Sequence, residues 1–321
     1  MDETIERLRA EPALAWKVAV NLLGKEEVSP EASRAQAEVR ETPLVRDLIA
    51  TCDHRHGAYK KWAGAHWVLS LLADLGYPPG DEALRLLMED TFNAWLSQEH
   101  KKYLRVIDGR ARRCASQEGN AAWCSLRLGF ADSRTDELVS RLLKWQWPDG
   151  GWNCDKHPEA DSSSFMETLI PLRALALYAK TAGDPKVKAA TGRAAEVFLS
   201  RQLFKHRRDG QVMDPHFVLL HYPLYWHYDI LFALKVLAEA GLLDDSRCQA
   251  ALDLLESKRL PDGGFPAEES FARPTRPQLS GYSPVSWGRQ SRKAMNPFVT
   301  ADALYVLRMA GRLPTQRSEA V

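Results

Sequence analysis

The chain has 321 residues, 45% of them hydrophobic, and its 43 basic and 42 acidic side chains leave a formal charge of +1. That length and apolar content can bury a sizeable core, while the balanced charge excludes the strong positive field of a nucleic-acid or acidic-lipid binder. No apolar run approaches the ~20 residues that span a bilayer. The acidic residues 1–6 carry no signal-type apolar core, and five scattered cysteines lack Cys-x-x-Cys spacing, as expected of reduced thiols. These features predict a cytoplasmic protein without a transmembrane segment and without a nucleic-acid partner, and they leave room for peripheral contact with a membrane.

In chain order, residues 1–55 are helix-forming but lack the repeat that follows, and are read as a helical lead-in packed on the main domain, 56–321. From there, Leu/Ala-rich runs stop at Gly76, Gly129, Gly183, Gly241 and Gly311, at spacings of 53, 54, 58 and 70 residues. Glycine takes the left-handed conformation that ends helices, and fixed self-similarity marks a repeated supersecondary unit. Segments 163–179, 228–240 and 300–310 are apolar nearly all round. By contrast, 186–201 sets Val187, Ala190, Ala194 and Phe198 against Lys186, Arg193 and Glu196, and 246–257 is similarly two-faced. A helix apolar all round is buried and an amphipathic one faces water. The pattern predicts an all-α fold, an α/α toroid of helical hairpins with inner and outer layers. Pro171 inside 163–179 predicts a kink or a first-turn position. Residues 266–294, rich in Pro, Ser, Arg and Gly, predict a long loop of the lid type, with Trp287 and Arg289 placed to close over a cavity.

The hairpin turns share a phrase. Trp147-Pro148-Asp149-Gly150-Gly151-Trp152 is echoed by Leu260-Pro261-Asp262-Gly263-Gly264-Phe265 and, degraded, by Arg208-Asp209-Gly210-Gln211. The glycines make the tight turn, Asp149 is expected to bond back to turn amides, and the aromatic packs between helices. With Gln146 added, the phrase resembles the QW repeat of the terpenoid cyclase and protein-prenyltransferase superfamily. Residues 113–120 (Arg-Cys-Ala-Ser-Gln-Glu-Gly-Asn) and 151–156 (Gly-Trp-Asn-Cys-Asp-Lys) resemble bacterial squalene-cyclase-like proteins. The resemblance spans roughly 60–315. It implies the toroid and an apolar, isoprenoid-type ligand in a central cavity. The Asp-x-Asp-Asp acid motif of the cyclases, the Asp-x-Cys zinc motif of the prenyltransferases and the aspartate-rich diphosphate motifs are missing from this sequence, so catalytic residues do not carry over by motif.

Read from the residues, the candidates gather at the starts of inner helices. Glu118, Glu167, Asp229 and Asp302 recur there; carboxyls converging in an apolar cavity would have raised pKa values and serve as general acids, whereas capping of helix N-termini needs no ligand. Asp229, beside His227 and among Tyr225, Trp226 and Tyr228, is the leading acid, with Asp302, Glu167 and His227 as further catalytic candidates. The aromatic faces would stabilise a cation or stack on a ligand. His66 and Trp67 at the start of the first inner helix, joined by Arg113 and Glu118 and by Trp287 from the long loop, complete the ligand-binding set. Cys154, His157 and Asp161 form the densest cluster of ligand-type side chains and would hold zinc with water in the fourth position, although turn-capping explains the same acids; no other cofactor is implied. The functional expectation is a protein that binds a small apolar or isoprenoid ligand, as an acid-initiated cyclase or isomerase. The alternatives are a non-catalytic binding or scaffold toroid and a prenyltransferase-like or carbohydrate-active enzyme.

Overall fold

The computed structural model describes residues 2–52, 57–102, 104–274 and 281–313. Among them the order of elements is α1 (Asp2–Arg9), a π-helical turn (Lys17–Leu22), α2 (Pro30–Glu41), α3 (Pro43–Ala50), α4 (Ala65–Leu75), α5 (Arg85–Leu96) and α6 (Gln98–Lys102). A small hairpin follows, β1 (Arg105–Ile107) with β2 (Arg110–Arg112), then α7 (Ser116–Arg127), α8 (Ser133–Trp145), α9 (Phe165–Ala182) and α10 (Pro185–Leu199). Last among the described elements are α11 (Ile230–Ala240), α12 (Gln249–Ser257) and α13 (Pro297–Met309). The fold is all-α, and no described helix is long and apolar enough to cross a membrane.

Helices with continuous apolar character are buried along nearly their whole length: every residue of α4, and all of α11 from Ile230 to Ala238. Their neighbours follow chain order, α4 on α7, α7 on α9, α9 on α11 and α11 on α13. The amphipathic α5, α8, α10 and α12 each pack on the buried helix beside them in sequence. First turns meet first turns and last turns meet last turns, so the five buried helices run parallel. The last of them packs against the Lys17–Leu22 turn, and Lys17 reaches Asp74 at the end of α4. The lead-in thus does more than coat the outside: it places a buried lysine between the two ends of the series.

The glycine stops behave as their chemistry requires. Gly76, Gly183 and Gly241 cap α4, α9 and α11 in the left-handed conformation. The turn phrase is built twice to one plan. Trp147 N–H donates to Gly151 O and Gly150 N–H to Trp147 O; Leu260 N–H donates to Gly264 O and Gly263 N–H to Leu260 O. The aromatic that follows donates its backbone N–H to a threonine in the first turn of the next buried helix, Trp152 to Thr168 at 3.1 Å and Phe265 to Thr300 at 2.8 Å. Gln146 donates to Gly150 O and to Ala190 O of α10, tying turn to outer helix. Asp149 does not bond back within its own turn as expected; it accepts from Ser163 N and Oγ, 14 residues on. A side chain on Gly150, at φ +104°, would lie 2.2 Å from Arg193 O. The third echo, at Gly210, is an exposed turn.

Pro171 lies inside α9, not at its first turn. Opposite it, Gly119 of α7 lets the backbones close so far that a Cβ there would sit 2.8 Å from Pro171 N. The long loop is tied down at several points: Glu268 and Glu269 N–H both donate to Leu220 O, and Lys258 pairs with Glu268 at 2.7 Å. Trp287, expected to close over a cavity, is instead buried. Its indole N–H donates to Ser283 Oγ and its ring packs on Tyr222 and Phe298, while Arg289 points to solvent.

Candidate functional site

The parallel helices give the molecule two ends and an axis, and the middle of that axis is filled by ions. Lys17 bonds Asp74 at 2.6 Å and Asp302 at 2.8 Å; Lys235 of α11 bonds the same two carboxylates at 2.6 and 2.9 Å. Arg173 of α9 adds a 2.9 Å contact to Asp74 and clamps Glu239 at 2.6 Å. Four of these charges alternate around a closed square, all essentially without solvent contact. Burial works against the ionised Asp74, but Lys17, Lys235 and Arg173 together hold its carboxyl well below the usual range. The enclosed space beside the square, among Ser70, Asn120, Leu224 and Phe232, measures about 20 Å³. That is room for one water, not for an isoprenoid chain.

This corrects the expectation of carboxylates converging in one cavity. Asp302 is a member of the ion square. Asp229 is fully buried as the cap of α11, accepting from Phe232 N at 2.7 Å, and it also holds His221, through N–H at 3.0 Å and Nδ1 at 2.7 Å. Burial opposes the charge on His221, and Asp229 outweighs it, raising the imidazole above its ordinary value. Glu118 takes His100 Nε2 at 2.8 Å and Arg113 at 3.4 Å, so Arg113 is the partner of a carboxylate. His66 is locked between Trp95 Nε1 (3.1 Å) and Asn120 (3.2 Å), and burial lowers it to about 3. Trp67 is core. Tyr228 donates to Leu203 O and packs among Phe165, Phe198 and Phe217, between layers rather than at the axis.

The carboxylate that keeps a chemical environment is Glu167, in the first turn of α9. Its carboxylate accepts Ser116 N–H at 3.0 Å and Trp226 Nε1–H at 3.0 Å, and Cys154 Sγ lies 3.8 Å away. Cys114, two residues before α7, completes the group: the two sulfurs and a Glu167 oxygen all lie within 4.8 Å of one another. The segments 113–120 and 151–156 are joined here by a hydrogen bond from Arg113 N to Asn153 O at 3.1 Å. Burial raises the Glu167 carboxyl. The hydrogen bond between the thiols lowers Cys154 and raises Cys114. Arg113 beside Cys114 works against that rise, but among the described residues no Lys or Arg hydrogen-bonds or forms a salt bridge with any of the three. Of the three expected metal ligands only Cys154 belongs to this group; His157 and Asp161 lie outside it. Both are exposed; His157 N–H donates to Asp155 and Asp161 accepts from Ser162 Oγ.

Aromatic side chains border the trio. Tyr59 packs on His66, Trp67 and Trp95, and its phenol is raised by burial first and by Glu167 and Cys114 next. Trp62 and Tyr225 stack with centroids 4.4 Å apart, and both hold positive φ, 64° and 38°. Such backbones cost about 1–3 kcal/mol each and persist only where packing enforces them. His227 stacks on Phe271 of the long loop at 3.4 Å, is lowered to about 3 by burial, and has a buried Nδ1 without a partner among the described residues. Trp62 donates to Gly281 O at 2.6 Å. The loop thus covers this end through Phe271 and Gly281, not through Trp287.

No family model matches the chain, and no curated protein matches it. Among solved structures, a crystal structure of a protein from Actinoplanes aligns over 93% of this chain and 89% of its own, at 17% identity and a TM-score of 0.44. So slight a likeness carries neither fold nor function across.

Proposed function

We propose that the protein is a zinc-type metal protein whose working centre is the end formed by the first turns of the buried helices, with Cys114, Cys154 and Glu167 as ligands. The observation that carries this reading is the meeting of two thiols and a buried carboxyl whose ligand atoms lie within 4.8 Å of one another, with no salt bridge to any of the three among the described residues. A divalent ion would let all three ionise together, and two sulfurs with one oxygen suit zinc better than magnesium or calcium. Three protein ligands leave a fourth position, the arrangement of catalytic rather than structural zinc sites. Zinc held there would lower the pKa of a bound water and polarise a bound oxygen.

The chain's own groups have definite parts. Trp226 Nε1–H and Ser116 N–H orient Glu167. Tyr59, its phenol kept protonated, is a donor at the rim. The apolar ligand expected from the sequence is assigned to this aromatic rim, against Tyr59 and Trp226, instead of the axis. An acid-initiated cyclisation by Asp229 has no support in the geometry, because that carboxylate is committed to a helix cap and to His221. A second reading, a scaffold toroid without chemistry, is favoured by the ion-filled axis.

Metal analysis of the purified protein and calorimetric titration with zinc test the proposal. One zinc per chain, with affinity rising with pH as the ligands lose protons, is expected. Zinc well below one per chain after titration would leave the scaffold reading.

A further inference from the structure

The opposite end of the molecule, where the last turns of the buried helices meet, holds a cavity of about 240 Å³. It lies beside the ion square, and the metal centre plays no part in it. Its walls carry four cationic side chains, Arg127, Arg173, Lys180 and Lys235, and three anionic ones. The three acids are already engaged. Asp74 serves Lys17, Lys235 and Arg173; Glu239 gives both oxygens to Arg173; Glu27 takes Arg127 at 3.0 Å.

The donors are not used up. Arg173 bonds through Nε and Nη2 and leaves Nη1 without a partner among the described residues. Arg127 bonds Glu27 through one nitrogen, and its guanidinium carbon is held 5.0 Å over the Trp16 ring. Arg173 is fixed in the same way, 3.7 Å over Trp123. The Tyr305 hydroxyl and the Asn21 amide, both half-buried on the wall, have no hydrogen-bond partner among the described residues. Ala176 and Leu177 form an apolar side. Two stacked, partly unsatisfied guanidiniums beside a phenol and an amide are the recognition chemistry of a carboxylate, and the apolar side gives its body a place.

Helix carbonyl ends disfavour anions. Arg127 and Lys180 stand in the last turns of α7 and α9, where they offset that field. Directed donors, not a diffuse positive potential, must therefore select the ligand.

We propose that this cavity binds a small organic carboxylate with a flat apolar body, its carboxylate group between Arg127 and Arg173 beside the Tyr305 hydroxyl and its body against Ala176 and Leu177. The test is calorimetry on the full chain with three probes of matched shape and different charge: phenylacetate, phenethylamine and 2-phenylethanol. Phenylacetate is expected to bind one per chain and to raise the melting temperature, with the amine and the alcohol silent. Arg127→Gln, at a partly exposed position outside the ion square, and Tyr305→Phe are each expected to weaken phenylacetate by about tenfold, the loss of one charge-assisted or buried hydrogen bond. Tyr305→Phe decides the matter if Arg127→Gln does not fold. Equal binding of the amine or alcohol, phenylacetate binding unchanged in the variants, or no binding at millimolar phenylacetate overturns the proposal. Removing zinc leaves the expected result unchanged, which separates this site from the metal centre.

Discussion

The axis and the first-turn end of this molecule bury the same kinds of groups under opposite rules. At the axis, Asp74 and Asp302 are compensated by Lys17, Lys235 and Arg173, and every charge has a partner within 2.9 Å. At the first-turn end, Glu167 is buried as deeply, but its partners are an indole, a backbone amide and two thiols. One carboxyl is held far below the ordinary range and the other above it. Burial alone therefore does not mark a reactive acid; burial without a counter-charge does.

The contrast can be broken most severely at the axis. Asp74→Asn should destabilise the protein by about 3–5 kcal/mol, because it strands buried cations; urea denaturation measures it, and a loss below about 1 kcal/mol would show the square to be dispensable.

Next in size is metal binding at the first-turn end. Replacing both Cys114 and Cys154 by serine should lower zinc affinity by at least about 100-fold, the upper end of what a lost supporting contact costs, with little change in the urea midpoint of the metal-free protein. Titration calorimetry against wild type reads the first, and the same denaturation experiment reads the second.

The pH dependence should differ in sign between the two regions. Asp74 has a folded pKa below its unfolded one, so its contribution is complete above about pH 4 and is lost as pH falls through the folded value. Glu167 is raised, so in metal-free protein its contribution is complete below the unfolded pKa and is lost as pH rises through the folded one. Unfolding free energies measured from pH 3 to 8 should show the acid-side loss disappear in Asp74→Asn. They should show the neutral-side decline flatten in Glu167→Gln.

The smallest effect is expected for Glu167→Gln at neutral pH without metal. Its stability should lie within about 1 kcal/mol of wild type or above it, since the change removes a buried carboxyl that has no counter-charge. A large loss would mean that Glu167 is a structural carboxylate with a partner of its own, and would move the metal proposal toward the scaffold reading.

The helix stops and the two-layer order were legible in the sequence because both are local. Glycines at Gly76, Gly183 and Gly241 act on their own helix ends, and apolar periodicity tells a buried helix from a half-exposed one wherever it stands. The turn phrase at 147–152 and its echo at 260–265 likewise repeat one hydrogen-bond plan. The candidate acids were legible as helix-start residues, yet their environments were not. Asp229 caps α11 and Glu167 lies in the first turn of α9, yet what separates them most is what faces them, His221 in one case and Cys154 with Trp226 in the other. Cys114 went unnoticed as a ligand beside Cys154, although both lie in the segments that carried the family resemblance.

What the sequence determined by itself is the all-α class, the hairpin repeat and its capping, since each depends on residues a few positions apart. What tertiary structure decided is which polar groups meet. Lys17 reaches Asp302 across 285 residues, and Cys114 and Cys154 come together because the turn after α8 returns the chain to the start of α7. Pairing over such distances depends on how parallel helices pack side by side, and no local period encodes that packing.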